Sequence, residues 1–392
     1  MRKFNRLFGF TAIAMCLAIF IVPNPNKIDG DVRADNLTPN SKASILIESN
    51  TKQVLYENNS KEAMPIASVT KLMTILLTLE SIDENLLSFE DKVIVSANAA
   101  GMGGSQVFLD ANTEHTVDNL LKAVIVASAN DASVALAEKI SGSESEFVNK
   151  MNEKAKELNL ANTNFVNCSG LPAANHYSCA NDVALIMTEV IKHPEYFNYS
   201  KVWMEDYPHP SGRVTNMANT NKLLRTYNGC DAGKTGSTNE AGYCLSATAK
   251  RNDMRLISVV LGSDTSKNRF NEVSGLFDYG FANYISNKLV DSTLLLDSSA
   301  IKVHKAKTSS IELVPSEDFS VLSKKGEQAE YEVNYELPET IKAPIKKGDV
   351  VGKIVITKNN AVEKEIDIIS NQDIESIGLF DTIRKISNNW SL

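Results

Sequence analysis

From Ile66 to Leu79 the chain carries one charged side chain, Lys71, in a run that is otherwise apolar or hydroxyl-bearing. A run of that kind is driven out of water. Pro65 stands just before it and Glu80 closes it. With its Leu, Met, Ile and Thr content over four turns, this predicts a buried helix from Ile66 to Glu80. Burying the helix buries Lys71 with it. Burial and the positive end of the helix dipole both disfavour the ammonium form of a lysine near a helix start. Ser68 precedes Lys71 by three residues, and positions i and i+3 share a helix face. A serine hydroxyl is a poor nucleophile until something takes its proton, and a neutral lysine beside it can do so. Backbone N–H groups at the helix start can support a developing oxyanion.

The pattern Ser-x-x-Lys is not selective by itself. Ser49 with Lys52 and Ser299 with Lys302 match it too. The first pair falls in a turn between two strand-like runs, the second runs into a β-type segment, and neither place holds the two side chains on one helical face. Ser-x-Asn is weaker still, with copies at Ser96, Ser128, Ser237, Ser266 and Ser387. Only Ser128-Ala129-Asn130 lies in a break between two apolar helices, Thr116–Ala127 and Ala132–Ile140. There Ser128 can relay a proton between Lys71 and a leaving group, and Asn130 can hydrogen-bond a substrate amide. A plain helix-capping turn is the bland reading of the same residues. Lys234-Thr235-Gly236 occurs once, before a hairpin expected over Tyr243–Leu261, with a turn at Ser237–Gly242. Lysine and threonine there suit a substrate carboxylate, and glycine lets a ligand approach the strand backbone.

The N-terminus sets the compartment. Arg2, Lys3 and Arg6 precede an almost wholly apolar stretch, Leu7 to Val22, and Val32-Arg33-Ala34 supplies a small-x-small site. This predicts a signal peptide over residues 1–34, cleaved after Ala34, with an uncleaved anchor as the alternative. Residues 1–34 hold five positive and two negative side chains, so their removal moves the net charge from −8 to −11. A body that acidic argues against a nucleic-acid partner. Four cysteines remain, Cys168, Cys179, Cys230 and Cys244, without the spacing of a CxxC site. A domain of this size does not require a disulfide; Cys230 and Cys244, flanking the expected turn, are the pair that would form one. The five histidines show no HxxxH or HxxE pairing, and no metal or other cofactor is expected.

Further helices are expected over Glu146–Leu158, Asp182–Ile191 and Phe270–Tyr284, with strands at Ala43–Glu48, Gln53–Tyr56, Tyr243–Ala249 and Arg255–Leu261. After about Asn287 short β runs dominate: Ala300–His304, Ser310–Val314, Tyr331–Glu336, Val350–Ile356 and Glu363–Ile368. Ile374, Ile377, Phe380, Ile383, Ile386 and Trp390 then fall on a helical stripe. The expected organisation is a signal peptide (1–34), a catalytic domain (35–287), a β-rich domain (293–370) and an amphipathic helix (371–392). That helix either packs on the β domain or touches the outer membrane face peripherally.

S-x-x-K, S-x-N and K-T-G in this order are the active-site set of penicillin-binding proteins and serine β-lactamases. Asn162–Asn167, Ser169-Gly170-Leu171-Pro172, Asn175-His176-Tyr177-Ser178, Gly103-Gly104-Ser105-Gln106 and Glu240–Leu245 extend the likeness over residues 41–285. In these the chain resembles the D-alanyl-D-alanine carboxypeptidases among low-molecular-mass penicillin-binding proteins. The resemblance implies an α+β fold: a β-lactamase/transpeptidase-like domain, with an antiparallel sheet flanked by helices, and then a small all-β domain. It implies Ser68 as nucleophile toward the D-Ala-D-Ala carbonyl of a peptidoglycan stem peptide and Lys71 as base. Ser128 and Asn130 would complete proton transfer and substrate contact. Lys234, Thr235, Gly236 and Ser237 would bind substrate, with the oxyanion between the N–H groups of Ser68 and Ser237. β-Lactam antibiotics would acylate Ser68, and the protein would act outside the cytoplasm at the cell wall. Ala129 and Ser237 depart from the commonest residues at their positions. A class A β-lactamase would carry a Glu-x-x-Leu-Asn loop, but Ala155 stands at the glutamate position before Leu158-Asn159. A D,D-endopeptidase and a non-catalytic β-lactam sensor are the remaining alternatives.

Overall fold

A computed structural model describes residues 15–20, 36–327 and 330–378. It divides into one unit over Gly30–Tyr284 and a second containing Ile285–Leu392 and Met1–Asp29.

The first unit is built on a five-stranded antiparallel sheet. Its strands are β1 (Ala43–Glu48), β2 (Val54–Asn58), β3 (Cys230–Thr238), β4 (Gly242–Arg251) and β5 (Met254–Ser263), in the spatial order β2-β1-β5-β4-β3. Every residue of β1 is buried, so the sheet is covered on both faces. Alternate residues Ala43, Ile45 and Ile47, with Ile257, Val259 and Leu261 of β5, join a core shared with the helices on one side. The opposite face meets helix α6 (Ser266–Asn283), named in chain order; at Gly280 even a Cβ would stand 2.6 Å from Leu256 and 3.0 Å from Leu46.

The helical side holds α1 (Lys71–Asp83), α2 (Val117–Val126), α3 (Asn130–Ser141), α4 (Glu144–Glu157) and α5 (Ala180–Val190). Lys71 to Leu79 are buried without interruption, which accounts for the apolar run in the sequence. The expected Ile66–Glu80 helix is modified at its start: Ala67–Thr70 form a 3-10 turn and the α-helix begins at Lys71. Ser68 and Lys71 still meet, because i and i+3 nearly eclipse in a 3-10 turn.

The expected turn at Ser237–Gly242 is shorter than the sequence suggested, since β3 continues to Thr238 and pairs with Gly242. K-T-G therefore lies inside a strand rather than before one. Gly233 and Gly236 break the alternation by which a strand is read. This also decides the cysteines, all four of which are free. Cys230 sits opposite Ala249 and Cys244 opposite Gly236, so the two are held apart along the β3–β4 ladder and cannot pair.

In the second unit β6 (Leu313–Pro315), β7 (Tyr331–Glu336), β8 (Val350–Lys358) and β9 (Ala361–Ser370) form an antiparallel sheet, and Met15–Phe20 lies on the edge of β7. Leu313, Val333, Ile354, Ile356, Ile366 and Ile368 supply its core. Asn359 and Asn360, both at positive φ (49° and 66°), make the two-residue turn between β8 and β9. That conformation matches the twist of the paired strands and asparagine tolerates it.

The expected signal peptide lies outside the described residues except for Met15–Phe20. Of the expected terminal helix, residues 379–392 lie outside them. Residues 371–378 are not helical: Ile374 is buried and bridges Ile345, and Ser376 bridges Ala306.

Candidate active site

The site forms where the Ala67–Thr70 turn meets β3, the loop before α3 and the loop after Phe165. Strand β3 has a sheet neighbour on one side only, β4. Its other edge packs on the turn. A Cβ at Gly236 would stand 2.7 Å from Ile66 O and 3.0 Å from the backbone nitrogens of Ser68 and Val69. Glycine is thus required for this close approach. Ser68 is half-buried and Ser237 exposed, while Lys71, Ser128, Asn130, Lys234 and Thr235 are buried.

Lys71 Nζ lies 3.1 Å from Ser68 Oγ, 2.6 Å from Asn130 Oδ1 and 2.5 Å from Ser169 O. Asn130 Nδ2 donates to Gly103 O at 2.7 Å, which fixes the orientation of that amide. Burial lowers the Lys71 pKa to about 7, against smaller opposing contributions from Cys168 and Asp131. A neutral amine has two N–H bonds and one lone pair. Asn130 Oδ1 and Ser169 O can only accept, so they take both N–H bonds and leave the lone pair facing Ser68. The packing thus lowers the basicity of the amine and aims it at the hydroxyl.

Ser128, expected to relay a proton between Lys71 and a leaving group, is held by Lys234. Its Oγ accepts from Lys234 Nζ at 2.7 Å, and no bond joins it to Lys71 among the described residues. Accepting from Lys234 leaves the Ser128 O–H free to donate. Lys234 is held well below its usual pKa, first by burial and then by the charges of Lys71 and Arg269. Thr235 Oγ1 donates to Thr220 Oγ1 at 2.7 Å. The remaining expected residues, Gly236 and Ser237, lie at the β3 edge facing the Ser68 turn.

Two residues at the site adopt the left-handed region without being glycine, Ala67 (φ 47°) and Ser128 (φ 61°). Such conformations cost about 1–3 kcal/mol each and persist only where the surroundings enforce them. At Ala67 the enforcement is visible. Gly170 (φ +82°) packs so tightly that a Cβ there would stand 2.0 Å from Ala67 O. His176 Nδ1 accepts from Val166 N at 3.0 Å, which leaves Nε2–H to donate to Thr70 Oγ1 at 2.7 Å. Burial lowers the His176 pKa to about 4, so the imidazole stays neutral near neutral pH. Asp131 is fully buried and accepts from Val107 N and Leu109 N at 3.3 and 3.0 Å, tying down the loop whose Ser105 O receives Asn130 N at 2.7 Å. The sequence reading assigned no role to Ser169, His176 or Asp131. Ser169-Gly170 and His176 belong to the segments Ser169–Pro172 and Asn175–Ser178, and Asp131 directly follows Ser-x-Asn. Among the described residues no cluster of His, Cys, Asp and Glu is suited to a metal ion.

Residues 31–265 match the family model described as D-alanyl-D-alanine carboxypeptidase, and residues 291–376 match that of the penicillin-binding protein 5 C-terminal domain. The chain is 39% identical over 388 residues to D-alanyl-D-alanine carboxypeptidase DacF of Bacillus subtilis, covering 99% of each. Among solved structures it is similar to penicillin binding protein 5 from Haemophilus influenzae. The TM-score is 0.66 at 33% identity, over 86% of this chain and 98% of that one. It is also similar to penicillin-binding protein D2 from Listeria monocytogenes in its ampicillin-bound form. There the TM-score is 0.53 at 33% identity, over 62% of this chain and 98% of that one. An apolar helix that buries its own lysine against a serine turn, with a glycine-bearing strand edge beside it, is thus the arrangement of a known group, and the chain belongs to the D-alanyl-D-alanine carboxypeptidase family.

Proposed function

We propose that the protein is a serine-type D-Ala-D-Ala carboxypeptidase that removes the terminal D-alanine from peptidoglycan stem pentapeptides through an acyl-enzyme on Ser68. The observation that carries this reading is Lys71: buried, with its pKa lowered to about 7 and its Nζ 3.1 Å from Ser68 Oγ. Ser68 Oγ attacks the carbonyl carbon of the penultimate D-alanine as Lys71 takes the hydroxyl proton. The carbonyl oxygen becomes an oxyanion between the N–H groups of Ser68 and Ser237. Ser128, held by Lys234, passes a proton to the departing amine and takes one in turn from the Lys71 ammonium, so that the C–N bond breaks, D-alanine leaves and Lys71 is neutral again. Water then attacks the ester as Lys71, neutral again, takes its proton, and the carbonyl–Oγ bond breaks as Lys71 returns that proton to Ser68 Oγ. Thr235, Ser237 and Lys234 hold the terminal carboxylate, and arrival of that charge favours the protonated form of Lys234. Asn130 fixes Lys71 and borders the substrate amide, while Gly236 keeps the cleft edge open. β-Lactams present a similar carbonyl to the same serine and give a stable ester.

In the same reading residues 1–34 are a cleaved signal peptide and the enzyme works outside the cytoplasm, with residues 379–392 as a peripheral membrane contact. Support is compositional: the basic, then apolar start and the spacing of Phe380, Ile383, Ile386 and Trp390. Membrane association that survives truncation at about residue 370 contradicts the contact. For the activity, the mature protein is incubated with a stem pentapeptide and free D-alanine is assayed. Wild type releases it, and Ser68→Ala releases roughly a thousand-fold less or none. Equal release by both would falsify the mechanism.

A further inference from the structure

Strand β3 presents one peptide unit to two sites at once. Across the planar trans peptide between Gly236 and Ser237, the C=O and the N–H point in opposite directions. The N–H belongs to Ser237 and the C=O to Gly236. On the carbonyl side stands Arg269, the fourth residue of α6. Its Nη1 donates to Gly236 O at 3.0 Å and to Cys244 O at 3.2 Å, and Nη2 donates to Ser266 Oγ at 3.3 Å. The guanidinium lies 4.7 Å from the centroid of the Phe270 ring and 5.5 Å from that of Tyr243. Arg269 is 8% exposed, and no carboxylate pairs with it among the described residues. A buried cation without a counter-ion is costly. Here the charge is spent on backbone carbonyls.

We infer that Arg269 is a positioning residue for the oxyanion site: it fixes the Gly236–Ser237 peptide and polarises it, so that Ser237 N–H is a stronger donor to the oxyanion. Two effects follow from the contacts. A carbonyl bonded to a fixed cation cannot rotate its peptide plane without losing that bond, so the N–H keeps its aim at the edge beside Ser68. A carbonyl that accepts a charge-assisted bond also draws electron density from its own amide, which strengthens the N–H on the other side. Both effects act where charge develops, and they weigh on the acylation rate more than on ground-state binding. The inference rests on the reading of Ser237 N–H as an oxyanion donor.

The test is the ester carbonyl stretch of the penicilloyl-enzyme, read by infrared difference spectroscopy on the full-length mature protein and on Arg269→Lys and Arg269→Met. Lysine keeps the charge that bears on Lys234 but lacks the planar fork and stacking face. A strong oxyanion site pulls this stretch to low wavenumber. The expected result is a wild-type band well below that of the denatured acyl-protein and a higher band in both variants. Acylation is expected to slow about ten-fold, less than the loss on deleting a donor outright, with KM for pentapeptide nearly unchanged. A variant band at the wild-type position overturns the inference while leaving the oxyanion reading intact. A wild-type band already at the denatured position overturns the oxyanion reading itself. If both variants fail to fold, Ser266→Ala, which loosens the guanidinium only at Nη2, is held to the same criterion on the band.

Discussion

At the residue scale the chemistry turns on a lysine whose burial is enforced by everything around it. With its pKa near 7, Lys71 is protonated below neutrality and free to accept a proton above it. Acylation by a penicillin, or kcat/KM for pentapeptide, is therefore expected to rise about ten-fold per pH unit below 7 and to level off above it. A profile flat from pH 5 to 9 contradicts Lys71 as base. The strained turn offers a second check. Gly170→Ala puts a Cβ into Ala67 O at a positive φ, so it is expected to cost about 2 kcal/mol or more in stability and to slow acylation, seen as lower thermal midpoint and rate together. Most of the reacting groups were legible as short patterns because chemistry needs those side chains in order. Their pairings were not. Ser128 was expected to relay a proton for Lys71, and nothing in the sequence named Lys234 as the residue that holds it, since partners distant in sequence are set by how loops pack. Nor do Ala67 and Ser128 advertise their left-handed backbone, which composition signals only when glycine or asparagine occupies the position.

At the element scale the helices were readable because long apolar stripes have one solution. Their starts were less so: Thr116, Ser143 and Thr265 each accept a backbone N–H three residues on, and the helices expected from Glu146 and Phe270 begin at Glu144 and Ser266. Strand β3 was not readable. Cys230-Asp231-Ala232-Gly233-Lys234-Thr235-Gly236 lacks alternation because its glycines serve close approach on both sides, to Ala247 and to the Ser68 turn. The correction has a measurable consequence for the cysteines. Burial also raises the pKa of Cys230 and Cys179 to about 12 and of Cys244 to about 11, leaving the thiols protonated and unreactive. Alkylation after unfolding without reductant is expected to label every cysteine of the mature chain, and reductant is expected to leave the thermal midpoint unchanged. A protected Cys230–Cys244 pair contradicts the register of β3 on β4. The loop between Gly103 and Asp110 hangs on Asp131. Asp131→Ala leaves two buried amides unpaired and is expected to destabilise by about 2–4 kcal/mol and to weaken acylation through Asn130.

For the whole molecule, the β-rich second unit followed from the change to short β runs near residue 287, while the α+β fold of the first unit was what the family resemblance implied. The boundary segments were the hard part: an apolar stripe alone does not say what covers it, and Ile374, the first residue of the expected terminal helix stripe, is buried in the β-rich core instead. The catalytic groups all belong to the unit over Gly30–Tyr284, so the nucleophile can be tested in the intact mature chain. The most direct measurement is to expose that chain to benzylpenicillin, digest it with trypsin and locate the adduct by mass spectrometry. The predicted result is a single penicilloyl group on Ser68, in the peptide from Glu62 to Lys71, lost in Ser68→Ala and formed far more slowly in Lys71→Ala. An adduct on another residue, or one that persists in Ser68→Ala, contradicts the account.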